Sequence, residues 1–215
     1  LYKKQIKFNN LEVESDEVLS IEKKDQLFKI KTKSSKEYEA ISVIIASGAQ
    51  SRKINVEGEE EFEGKGVSYC ALCDGPVAVV GGGNNGFESA LFLSDYAKHV
   101  YILEYSDKVN ADLENQELVS KNKNIELITN AKVQKIEGKI FVNSVTYQDV
   151  KSQEEKVLEV SGVFVEVGYI PSTGFVGDLA ELNEKGEIIF DPKTLETKTK
   201  GLFSAGDCNV SKYKQ

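Results

Sequence analysis

The chain contains few residues of several types, and each shortage excludes a class of protein. Three cysteines are too few for a disulfide scaffold in a chain of 215 residues, so we expect a reducing, cytoplasmic compartment. Three prolines and 40% hydrophobic residues indicate a globular fold rather than a disordered or collagenous one. No apolar run reaches the roughly 18 residues of a membrane span, and we therefore predict no membrane segment.

Arginine and methionine are also scarce, and acidic residues outnumber basic ones. The chain has 27 lysine and arginine side chains against 35 acidic ones, which gives a net charge of −8, and Arg52 is its single arginine. Because an acidic surface repels phosphate backbones, we predict no nucleic-acid partner. Methionine is absent, which suggests that the sequence omits residues of a longer chain.

Apolar runs that end in glycine predict the strands of a parallel sheet. Residues 41–48 form one such run, typical of a strand buried on both faces, and similar runs end at Gly81 and Gly168. Residues 84–98 carry apolar positions on one face of a helix. Antiparallel pieces lie on either side. The sequence therefore predicts an α/β fold with at least one doubly wound, Rossmann-like domain and a second region with antiparallel β elements.

A glycine-rich loop between a strand and a helix predicts a dinucleotide site. The apolar strand 77–80 runs into GGGNNG at 81–86, which is G-x-G-x-x-G in the context that the motif requires. Its glycines allow a tight turn, a close approach to a pyrophosphate and close packing of helix on strand, and the helix N-terminus then faces the phosphates. The predicted nucleotide-binding residues are Gly81, Gly83, Asn84, Asn85, Gly86 and Glu104.

Glu104 bears on the choice of cofactor. It ends the next strand, where a carboxylate would accept hydrogen bonds from the adenosine ribose hydroxyls. A 2′-phosphate would need a basic partner, and the following residues YSDKV hold no arginine and one lysine beside an aspartate. We therefore predict NADH, with NADPH disfavoured. The alternative is a generic glycine-rich turn with a solvated Glu104.

Two cysteines, Cys70 and Cys73, precede this loop in a C-x-x-C arrangement. The pair can close a small redox disulfide, and Asp74 directly follows it, in a place to move a proton to and from a thiol. A zinc site needs four ligands, and the chain adds only Cys208 and His99, so we predict no metal. An inert core pair is the other alternative. Cys208 stands alone and is predicted to be a small buried residue.

Four short segments are distinctive when they are taken together with the dinucleotide loop. They are IIASGA at 44–49, GVSYCALCDG at 66–75, GYIPST at 168–173 and AGDC at 205–208. These segments resemble the low-molecular-weight thioredoxin reductase family, the class II pyridine nucleotide-disulfide oxidoreductases. That family includes the flavoprotein subunit of alkyl hydroperoxide reductase, and the residues after Glu104 are more similar to that NADH-dependent branch.

The resemblance implies a domain organisation. Residues 1–64 would be the first part of an FAD-binding domain, 65–167 an NAD(P)-binding domain that carries the redox disulfide, and 168–215 the second part of the FAD-binding domain. The family's first G-x-G-x-x-G and its final helix are not found in the sequence, and the loop before Val77 is shorter than the family's. We therefore expect a chain that is truncated at both ends.

The resemblance also implies cofactors and roles for individual residues. The cofactors would be FAD and NADH. Cys73 would face the flavin, Cys70 would attack the partner disulfide, and Asp74 would be the acid/base. Further cofactor-binding residues implied by the resemblance are Ser47, Gly48, Gly168, Gly206, Asp207 and Gln215.

The activity implied is a thioredoxin-reductase-like electron transfer. Electrons would pass from NAD(P)H through FAD and the cysteine pair to a protein disulfide. The partner would be a thioredoxin, a glutaredoxin-like protein or a peroxiredoxin system, and the intact protein would be a homodimer. A non-catalytic nucleotide-binding fragment or module, and a reductase of the same fold that is not driven by a nicotinamide, are the alternatives.

Overall fold

The computed structural model describes residues 8–9, 11–68 and 75–211, which form two compact units. One unit combines Leu1–Gln50 with Ile170–Gln215, and the other is the continuous stretch Ser51–Tyr169. The division predicted from the sequence, with boundaries after residues 64 and 167, stays a prediction.

The elements follow one another in a mixed α/β order. The strands are β1 (Val18–Lys24), β2 (Leu27–Thr32), β3 (Glu37–Ala40), β4 (Val43–Ile45), β5 (Ala49–Ser51), β6 (Val67–Ser68), β7 (Val77–Val80), β8 (Val100–Leu103), β9 (Ile125–Ile128), β10 (Ala131–Gly138), β11 (Val142–Asp149), β12 (Glu155–Glu159), β13 (Gly162–Val165), β14 (Tyr169–Pro171) and β15 (Leu202–Ser204). The helices are α1 (Asn84–Leu93) and α2 (Leu113–Lys121), and a 3₁₀ turn covers Gly177–Leu179.

The continuous unit is built on a five-stranded parallel sheet in the order β6-β13-β7-β8-β9. All four residues of β7 and all four of β13 are buried, as expected for strands covered on both faces. Val77 and Val79 face α1, where Phe87, Ala90 and Leu93 recur at helical spacing. The alternate residues of β7 face the antiparallel sheet β10-β11-β12. This arrangement confirms the predicted Rossmann-like α/β fold.

The other unit contains the antiparallel sheet β1-β2-β3 and the parallel pair β4-β15, and β5 pairs with β14. Its core gathers Phe28, Ile45, Ile188, Leu202 and Cys208. Antiparallel elements in this part of the chain were predicted, and the structure confirms them. No helix within the described ranges is long and apolar enough to cross a membrane.

Two predictions about individual elements are wrong in part. The helix predicted over 84–98 ends at Leu93, where the N–H groups of Tyr96 and Ala97 turn back to the carbonyl of Leu93. The run 41–48 forms a strand only over β4, and Ile41 and Ile44 are 79% and 69% exposed. Ile45, on the opposite face of β4, is 2% exposed, so within the described residues only one face of this strand is covered, and the prediction of burial on both faces is wrong.

Candidate dinucleotide-binding site

The loop after β7 has a backbone path that only glycine fits at two positions. Gly81 has φ +125°, and a Cβ on it would lie 2.4 Å from the carbonyl oxygen of Glu166. A Cβ on Gly86, in the first turn of α1, would lie 1.9 Å from the carbonyl oxygen of Gly81. Both distances are far inside van der Waals contact, so a side chain on Gly81 would collide with the segment after β13, and one on Gly86 would push the helix away from the loop.

Gly83 has open space where the other two glycines are crowded. It is the N-cap of α1 without a side-chain cap, and a Cβ on it would meet nothing within 4 Å. The first turn of α1 also carries no acidic residue. The uncapped N–H groups of the first turn therefore lie at the positive end of the helix beside open space, and these residues fit the pyrophosphate of a dinucleotide.

The carboxylate of Glu104 is fixed against this loop at the end of β8. Its Oε2 accepts a hydrogen bond of 2.6 Å from the Gly82 N–H, and its Oε1 accepts one of 2.9 Å from the Ser106 N–H. The Ser106 hydroxyl donates to the same Oε1. A carboxylate has about four acceptor positions, and these three bonds leave about one of them open toward a ribose while the protein holds the group in place.

Asn84 links the loop to the segment between β8 and α2. Its Nδ2 donates to the carboxylate of Asp112 at 2.7 Å, and its Oδ1 accepts the Asp112 N–H at 2.6 Å. Asp112 is the N-cap of α2, and its side chain bonds to Asn84 instead of capping its own helix. An aspartate before a helical stretch predicts an N-cap, but no sequence signal joins it to Asn84. The cofactor-binding roles of Asn84 and of the exposed Asn85 stay predictions.

A second carboxylate, Glu166, lies on the other side of the loop. Ser89, in the second turn of α1, donates a hydrogen bond of 2.9 Å from its Oγ to Oε1 of Glu166. Partial burial raises the pKa of the Glu166 carboxyl above its ordinary value, and the bond from Ser89 opposes this less strongly. Sequence reasoning missed this pair, since the two residues are 77 positions apart and neither belongs to the glycine motif.

The predicted flavin residues of the other unit meet at the carboxyl ends of β4 and β15. The Ala205 N–H donates to the carbonyl of Ile45 at 2.9 Å, which holds the two strand ends side by side. Gly48 and Gly206 have φ of +68° and +80°, and a Cβ on either would meet nothing within 4 Å. Glycine backbone beside open space at the ends of parallel strands fits a nucleotide cofactor.

Ser47 and Asp207 lie beside these glycines. The Ser47 hydroxyl donates to the carbonyl of Ser172 at 2.6 Å, and Asp207 is partly buried. Ser47 also lines an open cleft of about 630 Å³ within the same unit, together with residues 16–19, Gln50 and 170–175. Their contacts with FAD stay predictions.

Of the remaining predicted residues, Cys208 and Gly168 lie within the described ranges and the others do not. Cys208 is fully buried with a free thiol, as predicted, and its Sγ donates to the carbonyl of Ala205. Gly168 has φ +95° and open space at its Cβ position, and its role in cofactor binding stays a prediction. Cys70, Cys73, Asp74 and Gln215 lie outside the described residues.

The parallel sheet and its glycine-rich loop form a fold of the dinucleotide-binding class, and comparison with known proteins narrows that class. The family model described as pyridine nucleotide-disulphide oxidoreductase matches residues 3–215. An alkyl hydroperoxide reductase subunit of Staphylococcus aureus (strain NCTC 8325) is 39% identical over 201 residues, and the match covers 91% of this chain and 39% of the relative. A Bacillus subtilis NADH dehydrogenase is 42% identical with the same coverage.

Solved structures agree with these sequence relatives. Thioredoxin reductase of Lactococcus lactis superposes with a TM-score of 0.79 at 34% identity, and that of T. acidophilum with 0.78 at 37%. Each match covers 99% of this chain and 72% of the solved one. The chain therefore belongs to the pyridine nucleotide-disulphide oxidoreductase family, in its low-molecular-weight, thioredoxin-reductase-like branch. It spans about two fifths of the length of the curated relatives, 39%.

Proposed function

We propose that this chain is part of a flavin-dependent disulfide oxidoreductase that passes electrons from a nicotinamide dinucleotide to a protein disulfide. The observation that carries the proposal is the geometry of the loop after β7. Gly81 and Gly86 have no room for a side chain, and Gly83 leaves the N-terminus of α1 open. A loop of this geometry accommodates a pyrophosphate. Family membership supplies the reaction class.

The chain's own groups would hold two nucleotide cofactors. The backbone of residues 81–86 would bind the pyrophosphate of NADH, and Glu104 would accept the ribose hydroxyls. Ser47, Gly48, Gly206 and Asp207 would contact FAD, with Gly168 and Gln215 as the further residues that the family resemblance implies. Bound there, FAD would supply the two-electron redox chemistry that links the reduced nicotinamide to the disulfide.

The cysteine pair would then carry out thiol–disulfide exchange. In the dithiol form, the Cys70 thiolate attacks the partner disulfide, one partner sulfur leaves as a thiolate, and a mixed disulfide forms. The Cys73 thiolate then attacks Cys70 and displaces the second partner sulfur. Asp74 would move the protons that the two leaving thiolates take up. The products are one partner dithiol and the Cys70–Cys73 disulfide.

The proposed electron donor is NADH and the proposed acceptor is a thioredoxin or a peroxiredoxin system. Glu104 supports NADH because a carboxylate at the ribose disfavours a 2′-phosphate. The relatives named as thioredoxin reductase and alkyl hydroperoxide reductase support the acceptor class. A glutaredoxin-like partner, a homodimer and a cytoplasmic location stay predictions.

The exchange step is tested by Cys70→Ser and Cys73→Ser in the intact enzyme. Because the pair lies after the flavin in the electron path, we expect each variant to lose reduction of a protein disulfide and to keep bleaching of the flavin absorbance by NADH. Cys208→Ser is the matched control, since this thiol is buried in the core, and it should keep both activities. Full turnover of the protein disulfide by either variant of the pair would contradict the proposal.

The alternative of a non-catalytic nucleotide-binding module predicts a different result. Such a protein would bind NAD⁺ with the same glycine loop but would neither bleach a flavin with NADH nor reduce a disulfide. A reductase that is not driven by a nicotinamide would reduce the disulfide only with another electron donor. Flavin absorbance followed with NADH, NADPH or no nucleotide separates the three.

A further inference from the structure

Two carboxylates stand on opposite sides of the dinucleotide loop. The loop follows β7, and the neighbours of β7 in the parallel sheet are β8 and β13. Glu104 directly follows β8, and Glu166 directly follows β13. Because the carboxyl ends of parallel strands lie at one edge of a sheet, both residues border the same edge as the loop. With a strand spacing of about 4.8 Å, their backbones are roughly 10 Å apart across β7.

The backbone of Glu166 is bound to the beginning of the loop. Its N–H donates to the carbonyl of Val80 at 2.8 Å, and its own carbonyl lies where a side chain on Gly81 would clash. The side chain reaches α1, where Ser89 holds Oε1 at 2.9 Å. Glu166 is therefore fixed between the end of the sheet and the helix that would receive the pyrophosphate.

The protein only partly compensates the burial of the Glu166 carboxylate. It is half-buried, and burial raises the pKa of its carboxyl. Within the described residues, Ser89 is the one side chain that donates a hydrogen bond to it, and no lysine or arginine pairs with it. A partly desolvated carboxylate with one neutral partner is costly, and a ligand that donates hydrogen bonds to it would offset that cost.

The sheet order shows which part of a dinucleotide would reach Glu166. The chain passes from β7 through α1 to β8 on one side, and β13 lies on the other, so the crevice between β7 and β13 is the topological switch point of the sheet. With the pyrophosphate at α1 and the adenosine over β8, the second nucleoside extends toward β13. We propose that Glu166, positioned by Ser89, accepts hydrogen bonds from the nicotinamide nucleoside of the bound dinucleotide.

This assignment rests on the proposed function and adds a residue to it. Glu104 and Glu166 would have matching tasks, one for each nucleoside. The hydrogen-bond donors available on the nicotinamide side are the ribose hydroxyls and the carboxamide NH₂. Both are neutral donors, for which a carboxylate is the strongest natural acceptor. Titration with a ligand that lacks the carboxamide, and with one that lacks the whole nucleoside, shows which donor Glu166 binds.

The test is calorimetric binding of NAD⁺, ADP-ribose and ADP to the chain and to three variants. ADP carries the adenosine and pyrophosphate but no second nucleoside. Glu166→Gln should weaken NAD⁺ binding on the order of tenfold and leave ADP binding unchanged. Ser89→Ala should weaken NAD⁺ binding by a smaller factor and should also leave ADP binding unchanged. Glu159→Gln, an exposed carboxylate on β12, is the matched control and should change neither.

The outcomes are distinct. If ADP-ribose weakens together with NAD⁺ in Glu166→Gln, the ribose hydroxyls are the donors; if only NAD⁺ weakens, the carboxamide is the donor. Unchanged NAD⁺ binding, or an equal loss for ADP and NAD⁺, would overturn the assignment, since the second result marks a general disturbance of the loop. If the unmodified chain binds neither NAD⁺ nor ADP, the proposed dinucleotide site itself is overturned, and the assignment with it.

Discussion

Glu104 should make the intact enzyme use NADH more efficiently than NADPH. Its carboxylate is held beside the loop by the N–H groups of Gly82 and Ser106, so it could move away from a 2′-phosphate only by giving up both bonds. The sequence offers little to neutralise that phosphate, because residues 105–110 contain no arginine and Lys108 is exposed. A 2′-phosphate on the adenosine ribose would therefore meet a fixed negative charge.

The size of the discrimination follows from electrostatics at a partly exposed site. Two unit charges about 4 Å apart repel by about 1 kcal/mol in water and by about 4 kcal/mol at an effective dielectric constant of 20. Glu104 is half-buried, and salt further screens such a pair. We therefore expect a difference of about 1–3 kcal/mol in favour of NADH, which corresponds to roughly fivefold to 150-fold in kcat/KM.

The assay is steady-state turnover of the intact enzyme with each nucleotide. The variant Glu104→Ser with Tyr105→Arg should narrow or reverse the preference, because it removes the charge and adds a phosphate ligand. It should also lose some efficiency with NADH, since the Gly82 and Ser106 N–H groups lose their acceptor. Glu104→Gln, which keeps the size of the side chain without its charge, should relax the preference without creating one for NADPH. Equal kcat/KM for both nucleotides in the unmodified enzyme would show that Glu104 does not discriminate at the ribose.

Three further predictions concern stability and the loop. Gly86→Ala should lower the free energy of unfolding by about 1–3 kcal/mol and weaken NAD⁺ binding, because its Cβ would overlap a backbone oxygen; Gly83→Ala, with open space at that position, should weaken binding at nearly unchanged stability. Glu59→Ala should lower the free energy of unfolding in urea by about 2–3 kcal/mol, because this buried carboxylate accepts two backbone N–H bonds, whereas the exposed Glu60→Ala should have little effect. Folding raises the pKa of Glu166, so the folded chain holds this proton at a pH where the unfolded chain has lost it. The free energy of unfolding of the unmodified chain should therefore fall relative to that of Glu166→Gln as the pH rises from below the ordinary Glu pKa through the raised pKa. A difference between the two proteins that stays constant across pH would contradict this.

The dinucleotide loop could be predicted from the sequence because its requirements are local. Gly81 and Gly86 are fixed by contacts that a Cβ would violate within a single strand–turn–helix unit, so the motif and its context are contiguous in the chain. The position of Glu104 beside the loop was predictable for a related reason, since in a Rossmann unit the carboxyl end of the next strand lies next to the glycine loop. The structure adds that the loop itself, through Gly82, helps to hold that carboxylate.

The contacts that sequence reasoning missed depend on strand order. Glu166 neighbours the loop only because β13 inserts beside β7, and no periodicity in the sequence specifies which strand becomes that neighbour. Asp112 likewise meets Asn84 across 28 positions. The exposure of Ile44 shows the converse limit, because apolar composition specifies what a strand can bury, whereas burial depends on which elements pack on each face of the sheet.

The two units show the same relation between strands and open glycine backbone. In one, the glycine loop follows β7 with a strand on either side; in the other, Gly48 and Gly206 follow the paired strands β4 and β15. Gly48 and Gly206 have positive φ but no neighbouring atom that a side chain would strike, so crowding within the described residues does not explain why the backbone is bare there. Their positive φ already favours glycine, and the missing side chains also leave this backbone accessible to a ligand. The proposed reaction uses two nucleotide cofactors, and each unit offers a stretch of accessible glycine backbone where one of them would bind.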